Sequence, residues 1–79
     1  MRPEEFKELL TARPFVPLRV HLTDGKTYDI GHSEFVWVFR SRVDIAIPAD
    51  PDSGILDHVE HFSLLHIVRV EPLEAASTV

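Results

Sequence analysis

The chain has 79 residues, 44% of them hydrophobic, with no cysteine and 8 basic against 13 acidic side chains, a net charge of −5. That length makes one small domain. The lack of thiols excludes disulfides, thiolate nucleophiles and cysteine-bound zinc, and the acidic balance argues against a general affinity for phosphate backbones, which needs clustered Lys and Arg.

No apolar run approaches the roughly 18 residues of a membrane span. The opening Met1-Arg2-Pro3-Glu4-Glu5 has no apolar signal region, so the expected location is cytoplasmic. A domain this small without cross-links gains stability by oligomerising.

Residues 3–12 read as a short helix. Pro3 suits the first turn, where its missing N–H costs nothing, and Glu4 and Glu5 favour the positive end of the helix dipole. Phe6, Leu9 and Leu10 form one apolar stripe, and Pro14 ends the helix. Some ten residues are too few to hold a helix in water, so the stripe must dock on the strands that follow.

After the extended lead-in Phe15-Val16-Pro17, residues 18–30 alternate apolar and polar around Asp24-Gly25, the pattern of a β-hairpin. A two-residue turn would oppose Val20 to Asp29 and Leu22 to Thr27, mixing apolar with polar on each face. A three-residue loop of Thr23-Asp24-Gly25, with Gly25 left-handed, opposes Leu18 to Ile30, Val20 to Tyr28 and Arg19 to Asp29. Face matching favours this second register.

Gly31 to Glu34 form a turn, and Phe35 to Phe39 (FVWVF) read as a central strand covered on both faces. Arg42 to Ile47 resume alternation before Pro48. If Arg40-Ser41 is a two-residue loop, Val36 and Val38 join the face of Val43 and Ile45. With a three-residue loop, Phe35, Trp37 and Phe39 do so instead. Neither Arg nor Ser favours positive φ, which leans toward the longer loop. Ala49 to Asp57 are an insert expected to project into solvent. Leu56 to Phe62 and His66 to Glu71 are further strands around a brief turn, Pro72 stops the run, and 73–79 are expected to be a frayed tail.

The expected fold is therefore mainly β (α+β): a short N-terminal helix, then five or six antiparallel strands in a strongly bent sheet or small open barrel over residues 1–72. This order of a helix, LRVHLTDG, a second strand, FVWVF, a variable loop and a terminal HIVRVEP resembles the Sm-like (Hfq/LSm-type) small β-barrel. The resemblance covers roughly residues 4–72 as a strand pattern, and it implies ring oligomers and RNA binding. Of the Tyr-Lys-His run that lines the rim pore in that family, His66 matches here, while Leu64 and Leu65 stand at the other two positions. ARPFVPLRVHLTDG also resembles the opening of a family of short bacterial proteins of unassigned function.

Three functional readings follow. Phe35, Trp37 and Phe39 lie on a strand apolar on both faces, in a chain too small to cover both. This points to a non-enzymatic self-association or protein-interaction module, with a homo-oligomer or protein partner. The Sm-like alternative uses Trp37, Arg40, Arg42 and His66 on RNA. The third is a metal site at His58 and His61, two of five histidines; their spacing places them on opposite faces of a strand, so convergence needs a bulge or helical turn. No nucleophile elbow or phosphate-cradling glycine loop is present, and no enzyme, cofactor or membrane partner is expected.

Overall fold

The computed structural model describes residues 1–50 and 54–73, and these form one helix and six antiparallel strands in two three-stranded sheets. The helix α1 spans Pro3–Thr11. The Glu5 carboxylate accepts the Arg2 N–H at 2.9 Å, satisfying one donor that the helix start leaves open. Phe6 and Leu10 are buried, Leu9 packs at the margin of the core, and the helix lies against the strand Val36–Val38.

The first sheet has the order β2-β1-β6, with β1 at Leu18–Leu22, β2 at Thr27–Ile30 and β6 at Ile67–Pro72. Its hairpin has the face-matched register, pairing Leu18 with Ile30, Arg19 with Asp29 and Val20 with Tyr28. Leu22 N–H closes the loop on the Lys26 carbonyl at 2.9 Å, and Gly25 takes a φ of 89°. Asp24 accepts the Lys26 N–H at 2.9 Å, which fixes the turn from a side chain. The last strand returns beside the first, with Val20 opposite Val70. Leu73 N–H donates to the Pro17 carbonyl at 2.8 Å, so the chain is held through Leu73. The rest of the expected frayed tail, and positions 51–53 of the expected solvent loop, lie outside the described residues.

The second sheet has the order β3-β4-β5, with β3 at Val36–Val38, β4 at Arg42–Pro48 and β5 at Leu56–Ser63. Here two expectations need correction. The FVWVF run is not a central strand: Phe35 belongs to a 3₁₀ turn at Ser33–Phe35, and the three residues of β3 form a sheet edge flanked by the helix. The Arg40-Ser41 connection is the shorter one. Val38 pairs with Val43, and Phe39 N–H donates to the Arg42 carbonyl at 2.8 Å. It closes with no non-glycine residue at positive φ, so the turn avoids the geometry that argued against it.

The two sheets meet over one core. Leu18, Val20 and Ile30 of the first face Val36, Val43, Ile45 and Phe62 of the second, with Phe6 and Leu10 of the helix closing it. The sheets are not closed into a barrel. Tyr28 spans the two: its ring stacks on Phe62 at 5.3 Å, and its hydroxyl donates to Glu60 at 3.4 Å. Burial, with the Glu60 carboxylate beside it, raises the Tyr28 pKa above its ordinary value.

Candidate functional site

The side chains of β3 alternate. Val36 and Val38 turn toward Ile45 and Val43 and into the core, which sends Trp37 to the opposite face, above Asp44. Phe39 follows on the same outward face beside Arg42. Trp37 keeps 48% and Phe39 43% of its surface exposed, whereas Phe35 is partly buried with its ring edge-on to His32 at 5.4 Å. The period-two aromatics thus split: Trp37 and Phe39 form an open apolar strip, and Phe35 is drawn into the turn below it.

A groove of about 330 Å³ runs between this strip and the helix, lined by Trp37, Val38 and Phe39 on one side and Lys7, Leu10 and Arg13 on the other. Lys7 and Arg13 went unrecognised as site residues in the sequence. A register fixes neighbours within a sheet, but the docking angle of the helix decides what lies across the groove, and no local pattern encodes it.

The cationic residues expected beside Trp37 have separate environments. The Arg42 guanidinium sits 4.3 Å from the Phe39 ring centre, and its Nε is 3.1 Å from Asp44. This uses both its charge and its flat face. Arg40 is exposed in the connecting turn. His66 ends the 3₁₀ turn Leu64–His66, and its carbonyl accepts the Thr23 N–H at 2.9 Å, which ties that turn to the hairpin loop of the first sheet.

His58 and His61 both lie on β5, opposite Ile47 and Asp44, and so face opposite sides of the sheet. His58 Nδ1 is 2.7 Å from Asp57, and His61 Nδ1 is 3.8 Å from Asp44. Among the described residues no group of three His, Asp or Glu side chains converges to hold a metal ion. No helix among them is long and apolar enough to cross a membrane. Comparison with known proteins gives no relative to reason from: no family model, no curated protein and no solved structure matches the chain.

Proposed function

We propose that this chain is a non-enzymatic self-association module working in the cytoplasm, with a second copy or another protein seated on the outward face of the β3-β4-β5 sheet. One observation carries the reading: Trp37 and Phe39 stand side by side and nearly half exposed on one sheet face. Aromatic side chains of this kind anchor protein interfaces, because burying them brings a large apolar gain for little conformational loss. Val59, on the same outward face of β5, is 45% exposed and extends the apolar surface. Light scattering on the pure chain tests the proposal. An oligomer at ~100 μM, a concentration suited to micromolar affinities, is the expected result. A monomer there sinks it.

A second reading, an Sm-like RNA binder, is favoured by the groove. Lys7 and Arg13 lie across from Trp37 and Phe39, so a base stacked on the aromatic strip would have cations within the same cleft. Against it stand the net charge of −5 and the engagement of Arg42 by Asp44. A gel shift with single-stranded RNA decides it: the reading requires binding at low salt that weakens steeply as salt rises.

A further inference from the structure

The edge of β5 offers a more definite partner than the aromatic strip alone. At Leu56–Ser63 it is the longest strand, it ends its sheet, and β4 is its pairing partner along one side. The other edges are less available: β3 is short and flanked by the helix, β2 has four residues, and β6 ends in Pro72, which has no N–H to give.

The direction of the free backbone groups follows from two hydrogen bonds. Leu64 N–H donates to the Ser41 carbonyl at 3.0 Å, and Phe39 N–H to the Arg42 carbonyl at 2.8 Å. Bonded and non-bonded pairs alternate along an antiparallel ladder. Both bonds give the same phase: Phe62, Glu60 and His58 exchange backbone bonds with Val43, Ile45 and Ile47. The N–H and C=O of Val59 and His61 therefore turn to the open side.

We propose that two copies of the chain join through these edges, antiparallel about a twofold axis at Val59, into one continuous six-stranded sheet. The proposal rests on the self-association reading and places the contact at the β5 edge, across the sheet from β3 and its aromatics. Pairing of imidazole with carboxylate selects the register. Centred on Val59, the pairing sets Val59 against the partner's Val59 and His58 against the partner's Glu60, the latter twice. His61 then meets the partner's Asp57 at the bulge where the β4 ladder skips one residue. Moving the axis to His58 opposes the two His58 rings and leaves Leu56 against the partner's Glu60. Moving it to Glu60 opposes two carboxylates and leaves His58 against the partner's Phe62. Directly opposed like charges are unfavourable, and opposite charges favourable, on a sheet face.

The acidic and imidazole groups already alternate within one chain. His58 Nε2 lies 4.0 Å from Glu60, and Asp57 lies against His58 Nδ1 at 2.7 Å. The pairing carries this ladder across the axis and brings Trp37 and Phe39 of both copies onto one outward face.

Sedimentation over a concentration series, with amide exchange at its two ends, tests the pairing. The expected behaviour is a monomer–dimer equilibrium in which the Val59 and His61 amides gain protection as the dimer forms, while Glu60 and Phe62, bonded to β4, are protected throughout. His58→Glu should weaken the dimer about tenfold or more, because the axis counts each repulsive pair twice. The exchange His58→Glu/Glu60→His restores the imidazole–carboxylate pairs and should recover the dimer. Val59→Pro removes an outward N–H without touching the β4 ladder and should leave a monomer. Should that variant lose its fold by circular dichroism, the charge exchange alone decides. A monomer throughout overturns both this pairing and the self-association reading. A larger ring, a dimer not recovered by the exchange, or Val59 and His61 amides that stay unprotected overturns the β5 pairing and leaves self-association standing.

Discussion

The outward faces of the two sheets are built from opposite chemistry. On β2-β1-β6 the paired outward positions carry ion pairs, with Val68 of β6 61% exposed where the β1 ladder skips it. Arg19 grips Asp29 with two bonds of 2.8 and 3.1 Å and Arg69 meets Glu71 at 3.1 Å, while His21 Nε2, buried and without a hydrogen-bond partner, lies 3.5 Å from Glu71. On β3-β4-β5 the corresponding positions hold Trp37, Phe39 and Val59 around the Arg42–Asp44 pair, with His61 3.8 Å from the same carboxylate. The inward faces are alike, since both contribute branched aliphatic residues to one core. A face whose charges are matched within the chain has little to gain from a partner, whereas half-exposed aromatics do. This difference is what supports the proposal that the second sheet carries the contact.

The sharpest way to break the comparison is to exchange the roles of the two sides of the second sheet. Ile45, 2% exposed, faces the core, so Ile45→Ala should cost about 2–4 kcal/mol. For a domain of this size that lowers Tm by roughly 10–30 °C in a melt followed by circular dichroism. Trp37→Ser, on the outward side, should change stability by less than about 1 kcal/mol, as exposed positions do; it should remove a contact seated on the aromatic face and spare the β5 pairing, whose edge lies across the sheet from β3. A large stability loss from Trp37→Ser would place the core on the wrong side of β3.

The hairpin supports a smaller and purely local effect. Gly25 has φ of 89°, and an added Cβ would meet nothing within 4 Å. Gly25→Ala should therefore cost about 1–2 kcal/mol from backbone conformation alone, with unchanged association. Loss of association in this variant would mean that the first sheet takes part in the interface.

The first sheet was the more legible of the two for the same reason that its outer face is ionic. Alternation of Leu18, Val20, Tyr28 and Ile30 with Arg19 and Asp29 marks inside and outside without ambiguity, so matching the faces fixed a register that the turn residues alone did not. In FVWVF both sides are apolar, and periodicity has no contrast to read. Composition alone makes the run a strand covered on both faces, but it is a 3₁₀ turn followed by a short edge strand. The turn after it followed tertiary contacts over local preference: closing at Phe39 and Arg42 puts the guanidinium over the ring and beside Asp44. The aromatic candidates were visible in the sequence, while the groove that adds Lys7 and Arg13 depends on where the helix docks.

The smallest effect belongs to the ionic face, and its sign tests whether that face is electrostatic at all. The bonds from Arg19, reinforced by its charge and opposed by partial desolvation, hold the Asp29 carboxyl below the usual carboxylate range. A carboxyl depressed in the folded state binds fewer protons there than in the unfolded chain. Its contribution is therefore present above the unfolded value near pH 3.9 and is lost as pH falls through the lower, folded value. Asp29→Asn should melt slightly below the parent chain at neutral pH, by less than Gly25→Ala does, because the Asp29 side chain is 50% and that of Arg19 34% exposed to solvent. The gap should close as the pH is lowered past the carboxylate range, and it should shrink in 1 M salt, where the screening length is about 3 Å. A gap that persists in acid and in salt would show that Asp29 acts through packing. The outer face of the first sheet would then lose its claim to be closed by charge, and with it the contrast that singles out Trp37, Phe39 and β5.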